Sequence, residues 1–205
     1  MFNFVCFGKE IFMRICVYGA SSRTIDKKYI TAVEEMGEMM AKRGHTLVFG
    51  GGDGGLMGAA ARGFKRGGAK EIISVAPKFF NVDGVLYREA TEYHSPDTMR
   101  ERKKLLEDKA DVFVMVPGGI GTFDEFFEII TLRSLARHNK PVAIYNVDGY
   151  YDLLLGMLEK CEEEGFVNLC DGKLYSVFSE ASELIDYIEN ADRELLNPHK
   201  FKNIQ

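Results

Sequence analysis

Cysteine is scarce and scattered. Cys6, Cys16, Cys161 and Cys170 form no CxxC pair, and their spacings match neither a zinc site nor a disulfide framework. They read as free thiols of a reducing cytoplasm, with Cys16 buried in an apolar run. No stretch approaches 18 consecutive apolar residues, which excludes a membrane-spanning helix. Cations are in the minority: Lys+Arg is 26 against 31 Asp+Glu, a net charge of −5. Such a balance does not suit general binding to nucleic acid or to an anionic membrane. No GxxxxGK[ST] occurs, so the Walker phosphate loop is excluded. Residues 1–13, MFNFVCFGKEIFM, lack a basic n-region and a small-residue cleavage site, which makes them a poor signal peptide. They read instead as a leader, with Met13 as an alternative start.

What is present describes one soluble globular domain. The 205 residues are 46% hydrophobic and 28% charged, enough to bury a sizeable core. Glycine is the outlier: 21 residues, about a tenth of the chain against a usual share of roughly 7%, and clustered.

Short apolar runs alternate with longer amphipathic ones. The expected strands are Arg14–Tyr18, Thr46–Phe49, Glu71–Ala76, Ala90–Tyr93, Asp111–Val116, Pro141–Tyr145 and Leu174–Val177. The expected helices are Lys27–Arg43 with Asp26 as N-cap, Leu56–Arg66, Thr98–Lys109, Thr122–Arg137, Tyr150–Glu164 and Ala181–Ile188. Phe123, Phe126, Phe127 and Ile130 fall at i, i+3, i+4 and i+7 on one helix face. This alternation predicts an α/β fold: a single Rossmann-like, doubly wound parallel sheet over residues 14–190, with helices on both faces. Residues 191–205 read as a polar tail.

Three glycine- or serine-rich loops follow strands: Gly19–Ser22, Gly50–Gly55 and Gly118–Gly121. In a doubly wound sheet all three lie at the carboxyl edge, where ligands bind. A glycine loop running into a helix start offers free N–H groups and a positive dipole end, hence a phosphate or nucleotide site. Gly50, Gly52 and Gly55 spell G-x-G-x-x-G, but after the second strand, and the acidic partner about 20 residues on is missing; NAD is not indicated.

The sharpest motif is Pro117-Gly118-Gly119-Ile120-Gly121-Thr122-Phe123-Asp124-Glu125. Thr122 reads as the N-cap, which puts Asp124 and Glu125 in the first turn. Acids there complement the helix dipole, but a carboxylate beside an anion loop is repulsive, and chemistry is a reason to keep one. The charged run Met99-Arg100-Glu101-Arg102-Lys103-Lys104 precedes the strand that leads into this loop. Arg102 or Lys103 is placed to offset the charge of phosphate and carboxylate.

These segments, with GGGDGGLMGAAA at Gly50–Ala61, M-x-x-R-K at Met99–Lys103 and KPVAIYNVDGYYDLLLGMLEKCEEEGF at Lys140–Phe166, resemble the LOG ("lonely guy") family over roughly Arg14 to Glu189. Its members are cytokinin riboside 5′-monophosphate phosphoribohydrolases, often labelled "possible lysine decarboxylase". The resemblance implies Glu125 and Arg102 as catalytic residues. It implies Lys103, Thr131 and the loop Gly118, Gly119, Ile120, Gly121 and Thr122 as nucleotide-binding positions, with Gly52 to Gly58 as the other ligand-edge loop; Ser21 and Met99 complete the expected substrate set. Many members carry His at Arg100 and Trp at Leu132; this chain has no Trp at all.

The implied reaction is hydrolysis of a nucleoside 5′-monophosphate, AMP or an N6-substituted AMP, to free base and ribose 5-phosphate, with no metal or organic cofactor. The expected assembly is a cytoplasmic homodimer. In this scheme the helix start keeps Glu125 ionised, and Glu125 or Asp124 activates water. Three rivals stand beside it, one of them a broader purine or pyrimidine nucleotide nucleosidase with the same chemistry on other bases. A non-catalytic nucleotide or cofactor carrier shares the fold. A literal decarboxylase needs a Schiff-base lysine for pyridoxal phosphate, for which Lys103 and Lys104 are the nominees.

Overall fold

The runs ICVY, LVF and VFVM are apolar at every position and IISV at all but Ser74, without alternation. Strands of that kind are covered on both faces. The computed structural model, which describes residues 12–80, 84–169 and 173–196, bears this out. Its strands are β1 Arg14–Tyr18, β2 Thr46–Phe49, β3 Ile72–Val75, β4 Glu92–His94, β5 Val112–Met115, β6 Val142–Tyr145 and β7 Ser176–Phe178. They form one all-parallel sheet in the order β4-β3-β2-β1-β5-β6-β7. The helices are α1 Lys27–Lys42, α2 Gly55–Arg66, α3 Met99–Lys109, α4 Ile120–Ser134, α5 Asp152–Glu163 and α6 Ala181–Asn190.

Two buried clusters divide the side chains by face. Ile15, Val17, Leu47 and Phe49 pack with α1, α2 and α6. Cys16, Tyr18, Phe113 and Met115 pack with α3, α4 and Tyr151 at the start of α5. The period-2 alternation of a strand thus sends neighbouring residues into opposite cores. Strands β1 to β4 run outward one way and β5 to β7 the other, so the order reverses between β1 and β5.

The expected elements are all present, with shifted ends. Strands β4 and β7 lie one to two residues later than their apolar runs. Helix α5 starts at Asp152 rather than Tyr150, because Val147–Gly149 forms a short 3-10 turn with Asp148 at φ +52°. Helix α4 is displaced at both ends: it begins at Ile120 and stops at Ser134, where Ala136 turns left-handed at φ +54°. In the expected tail, residues 191–196 have no regular structure, yet Leu196 is buried against Leu158, Leu169 and Leu174. Cys6, Cys170 and the expected leader up to residue 11 lie outside the described residues. No described helix is long and apolar enough to cross a membrane.

Candidate active site

The three glycine-rich loops do share one sheet edge, and backbone hydrogen bonds lock them together. Ala20 N donates to Pro117 O at 3.1 Å, and Leu56 N donates to Ala20 O at 2.8 Å. The loop after β1 is therefore pinned between the loops after β5 and β2. Gly55, at φ +57°, has the carbonyls of Ala20 and Ser22 where a Cβ would stand, so only glycine lets these loops approach so closely.

The loops after β1 and β2 wall a cleft of about 470 Å³, within the usual range for a small-molecule site. Ser21, Arg23, Gly50, Gly52, Gly54, Met57 and Arg102 line its lower part, and Phe80, Gly84, Val85 and Leu86 its rim. The rim segment is stitched to the glycine loop: Asp53 N donates to Val85 O and Tyr87 N to Gly51 O, both at 2.9 Å. Arg23 closes the corner, donating from Nη2 to Gly84 O at 2.6 Å and standing 3.7 Å from the Asp53 carboxylate. The described lining contains two arginines and no carboxylate.

Arg102 comes up from α3, whose start is set by a capping box between Thr98 and Glu101. Its Nη1 donates to Glu125 Oε1 at 2.6 Å and its Nε to Val75 O at 3.2 Å. A Cβ on Gly50 would overlap the guanidinium. The arginine is thus held by a strand-end carbonyl, a carboxylate and a bare glycine. Both partners are nearly dry, with side chains 7% and 10% exposed. Burial pushes the Glu125 carboxyl above the ordinary carboxylate value, while the Arg102 charge and hydrogen bond pull against it. Asp124 points elsewhere: it is half exposed and paired with Lys103.

Four expectations are corrected here. Gly119, not Thr122, is the N-cap of α4: its carbonyl already accepts from Phe123 N at 2.9 Å, and Thr122 is buried in the first turn against Gly118. Asp124 and Glu125 consequently sit in the second turn, and the first turn carries no acid. The dipole therefore does not hold Glu125 down; burial raises it instead. Lys103 is withheld from the cleft, bound to Asp124 and Glu128 of α4. The rival decarboxylase reading finds no support in the cleft: Lys104 pairs with Asp108 on the surface, and no lysine lines the described cleft.

Of the expected substrate residues, Ser21 and Gly52 line the cleft with Arg102. Gly118 to Thr122, which lead into and open α4, are not among the residues that line it, and a Cβ at Gly119 or Gly121 would meet open space. Met99, exposed at the start of α3, and Thr131, exposed in the fourth turn of α4, are not among the residues that line the cleft. Missed were Gly50 as the seat of Arg102, Arg23 as a cleft residue, and a pair of tyrosines. Tyr151 Oη donates to Val116 O at 2.7 Å and Tyr150 Oη to Gly118 O at 2.9 Å, across 35 and 32 residues. No local pattern signals contacts of that range.

A family model described as "Possible lysine decarboxylase" matches residues 57–188. The chain is 37% identical to the probable cytokinin riboside 5′-monophosphate phosphoribohydrolase LOGL5 of Oryza sativa subsp. japonica, over 87% of this chain and 72% of that one. It is 35% identical to the cytokinin riboside 5′-monophosphate phosphoribohydrolase LOG2 of Arabidopsis thaliana, over 88% of this chain and 84% of the other. Among solved structures, the molybdenum cofactor binding protein of Rippkaea orientalis aligns with a TM-score of 0.64 at 17% identity, covering 87% of this chain and 94% of that one. A Moco carrier protein from Chlamydomonas reinhardtii aligns with a TM-score of 0.65 at 20% identity, covering 86% and 94%. The structural likenesses establish the fold.

Proposed function

This chain belongs to the LOG family, and from that premise we propose that it hydrolyses the N-glycosidic bond of a nucleoside 5′-monophosphate, releasing the base and ribose 5-phosphate. The observation that carries the reading is the buried Arg102–Glu125 pair, whose arginine lines a cleft walled by the glycine- and serine-rich loops after β1 and β2. Breaking the bond builds positive charge on the ribose ring, as in glycoside hydrolysis. Glu125 supplies the stabilising anion and takes a proton from the attacking water. The hydroxyl goes to the anomeric carbon, and the base leaves with the bonding pair and gains a proton. Burial suits Glu125 to the role, because a carboxylate with a raised pKa is a stronger base. Arg102 fixes its orientation and offsets the charge that develops on the departing base.

The phosphate is held by the loop Gly118–Thr122. The N–H groups of Ile120, Gly121 and Thr122 are first-turn donors, which a helix leaves without intrahelical partners. The rim of Phe80, Val85 and Leu86 with Met57 offers apolar surface to the base, which suits AMP or an N6-substituted AMP. A carrier holding a nucleotide-like ligand unchanged has no use for a buried arginine–glutamate pair, and this favours the enzyme.

The working form is a homodimer in the cytoplasm. Its support is an apolar surface beside the phosphate loop: Ile120 is 87% and Leu153 92% exposed, with Tyr150 and Met157 also open to solvent. Free Cys16 and Cys161 fit a reducing compartment.

The direct test incubates the protein with AMP, GMP, CMP, UMP and N6-isopentenyl-AMP, with adenosine as control, and separates the free bases. Base from a monophosphate and none from adenosine is the expected result. No release, with a nucleotide still raising the melting temperature, hands the site to the carrier reading.

A further inference from the structure

We propose that Tyr150 is a positioning residue that aims the Gly119 N–H at the substrate phosphate. Three successive carbonyls entering the phosphate loop are each held by a donor. Val116 O accepts from Tyr151 Oη, Pro117 O from Ala20 N, and Gly118 O from Tyr150 Oη. A peptide unit is planar and trans, so its C=O and N–H point in opposite directions. Turning the Gly118 carbonyl toward Tyr150 therefore turns the Gly119 N–H away from it. Tyr150 follows β6, on one side of β5; the opposite side is that of β1, where the other two glycine loops lie.

Gly118 and Gly119 need such an external hold. Without side chains, a Gly-Gly peptide visits both flipped orientations at low cost, and a flipped unit presents a carbonyl to the anion. Tyr150 is itself braced, edge-on to Tyr29 at 5.7 Å and to Tyr151 at 4.9 Å between ring centres. Its ring is partly exposed, so its hydroxyl is not needed to satisfy a sealed core. Tyr151 differs: it is fully buried, and its bond to Val116 O is part of the core.

The inference rests on the phosphoribohydrolase reading, and its test is built on product binding, which needs no turnover. Calorimetry compares ribose 5-phosphate and adenine binding to the full-length wild type and Tyr150→Phe. Loss of one hydrogen bond that orders the anion site corresponds to a three- to tenfold effect, roughly. Ribose 5-phosphate affinity is expected to fall by about that factor, with adenine affinity and melting temperature unchanged. Steady-state kinetics on AMP should show the same factor in KM with kcat within about twofold. Equal losses for both products, or no loss for either, overturn the proposal. A 15N-labelled wild type gives an independent reading without substitution: ribose 5-phosphate should shift the Gly119 amide resonance and adenine should not. A Gly119 resonance that stays still at saturating ribose 5-phosphate also overturns it. A wild type that binds ribose 5-phosphate but releases no base defeats the enzymatic reading alone, and the affinity ratio of Tyr150→Phe then still decides the role of Tyr150.

Discussion

Arg102 Nη1 and Glu125 Oε1 meet at 2.6 Å, joining the start of α3 to the second turn of α4 in a site from which water is nearly excluded. Losing either member should lower base release by about a hundredfold or more. Glu125→Gln is the cleaner variant, because the amide oxygen still accepts from Arg102 and only the counter-charge is lost. Glu125→Ala and Arg102→Ala should both be inactive and less stable, since breaking a buried pair costs about 3–5 kcal/mol. Near-normal turnover in Glu125→Gln would remove Glu125 from the mechanism.

The same pair sets the acid limb of the pH–rate profile. Glu125 acts when ionised, and burial raises its pKa above the ordinary 4.5. Activity should therefore fall with decreasing pH before an unperturbed carboxylate would titrate. Arg102 opposes this rise, so the residual activity of Arg102→Gln should lose its acid limb at still higher pH. A limb that stays in place assigns the titration to another group.

Gly50 tests whether the position of the arginine matters as well as its charge. A Cβ there overlaps the guanidinium, which is the far end of a flexible side chain and can move aside. Gly50→Ala should thus cost part of the roughly 3–5 kcal/mol at stake in the buried pair, less than Glu125→Ala or Arg102→Ala. Each ~1 kcal/mol corresponds to a few degrees in Tm for a chain of this size. Turnover should drop about tenfold or more, because the displaced guanidinium no longer orients Glu125. A large fall in Tm with turnover preserved per folded molecule would contradict the assignment.

The sheet was legible because its central strands are short apolar runs and several helices carry their own punctuation: Asp26 caps α1 through Lys28 N, and Gly67 caps α2. The loops were legible because glycine marks where backbone must face a ligand. The misreadings came from tertiary forces. Glycine has no capping side chain, so Gly119 gave no cap signal, and the helix start was set two residues late. That error turned into an electrostatic one, since Glu125 was credited to the dipole when burial between α3 and α4 controls it. Lys103 and Arg102 are adjacent and alike in charge; only the helix rotation sends one into the cleft and the other to Asp124 and Glu128.

Two histidines far from the cleft should govern stability toward acid. His45 Nδ1 accepts from Met13 N at 3.3 Å, leaving Nε2 to meet Glu189 at 2.9 Å. His138 Nε2 meets Ile129 O at 2.9 Å, and its Nδ1 accepts from Lys140 N at 3.2 Å. Burial depresses both pKa values below the ordinary 6.5. The unfolded chain then binds protons first as pH falls. Stability is full above the unfolded pKa and declines below about pH 6.5, by at most about 1.4 kcal/mol per pH unit for each histidine. His138→Gln should flatten part of that slope in denaturant titrations between pH 7 and 5. An unchanged slope would show that His138 does not carry it.

Leu153, 92% exposed on the first turn of α5, and Ile120, 87% exposed at the head of α4, have the highest fractional exposure of the large apolar residues described. Tyr150 holds the start of α5 against Gly118, so both leucine and isoleucine flank the phosphate loop on one surface. Exposed apolar groups gathered in this way mark an interface, and a two-fold dimer would bury them against their own copies. Leu153→Glu places two like charges across such an axis, and sedimentation should then report a monomer where the wild type is a dimer. A charge added at Glu180, ahead of α6 on the other face of the sheet, as Glu180→Lys, should leave the dimer intact. If the wild type sediments as a monomer at the concentrations used for turnover, the apolar face serves another partner. If Leu153→Glu remains a dimer, the interface lies elsewhere.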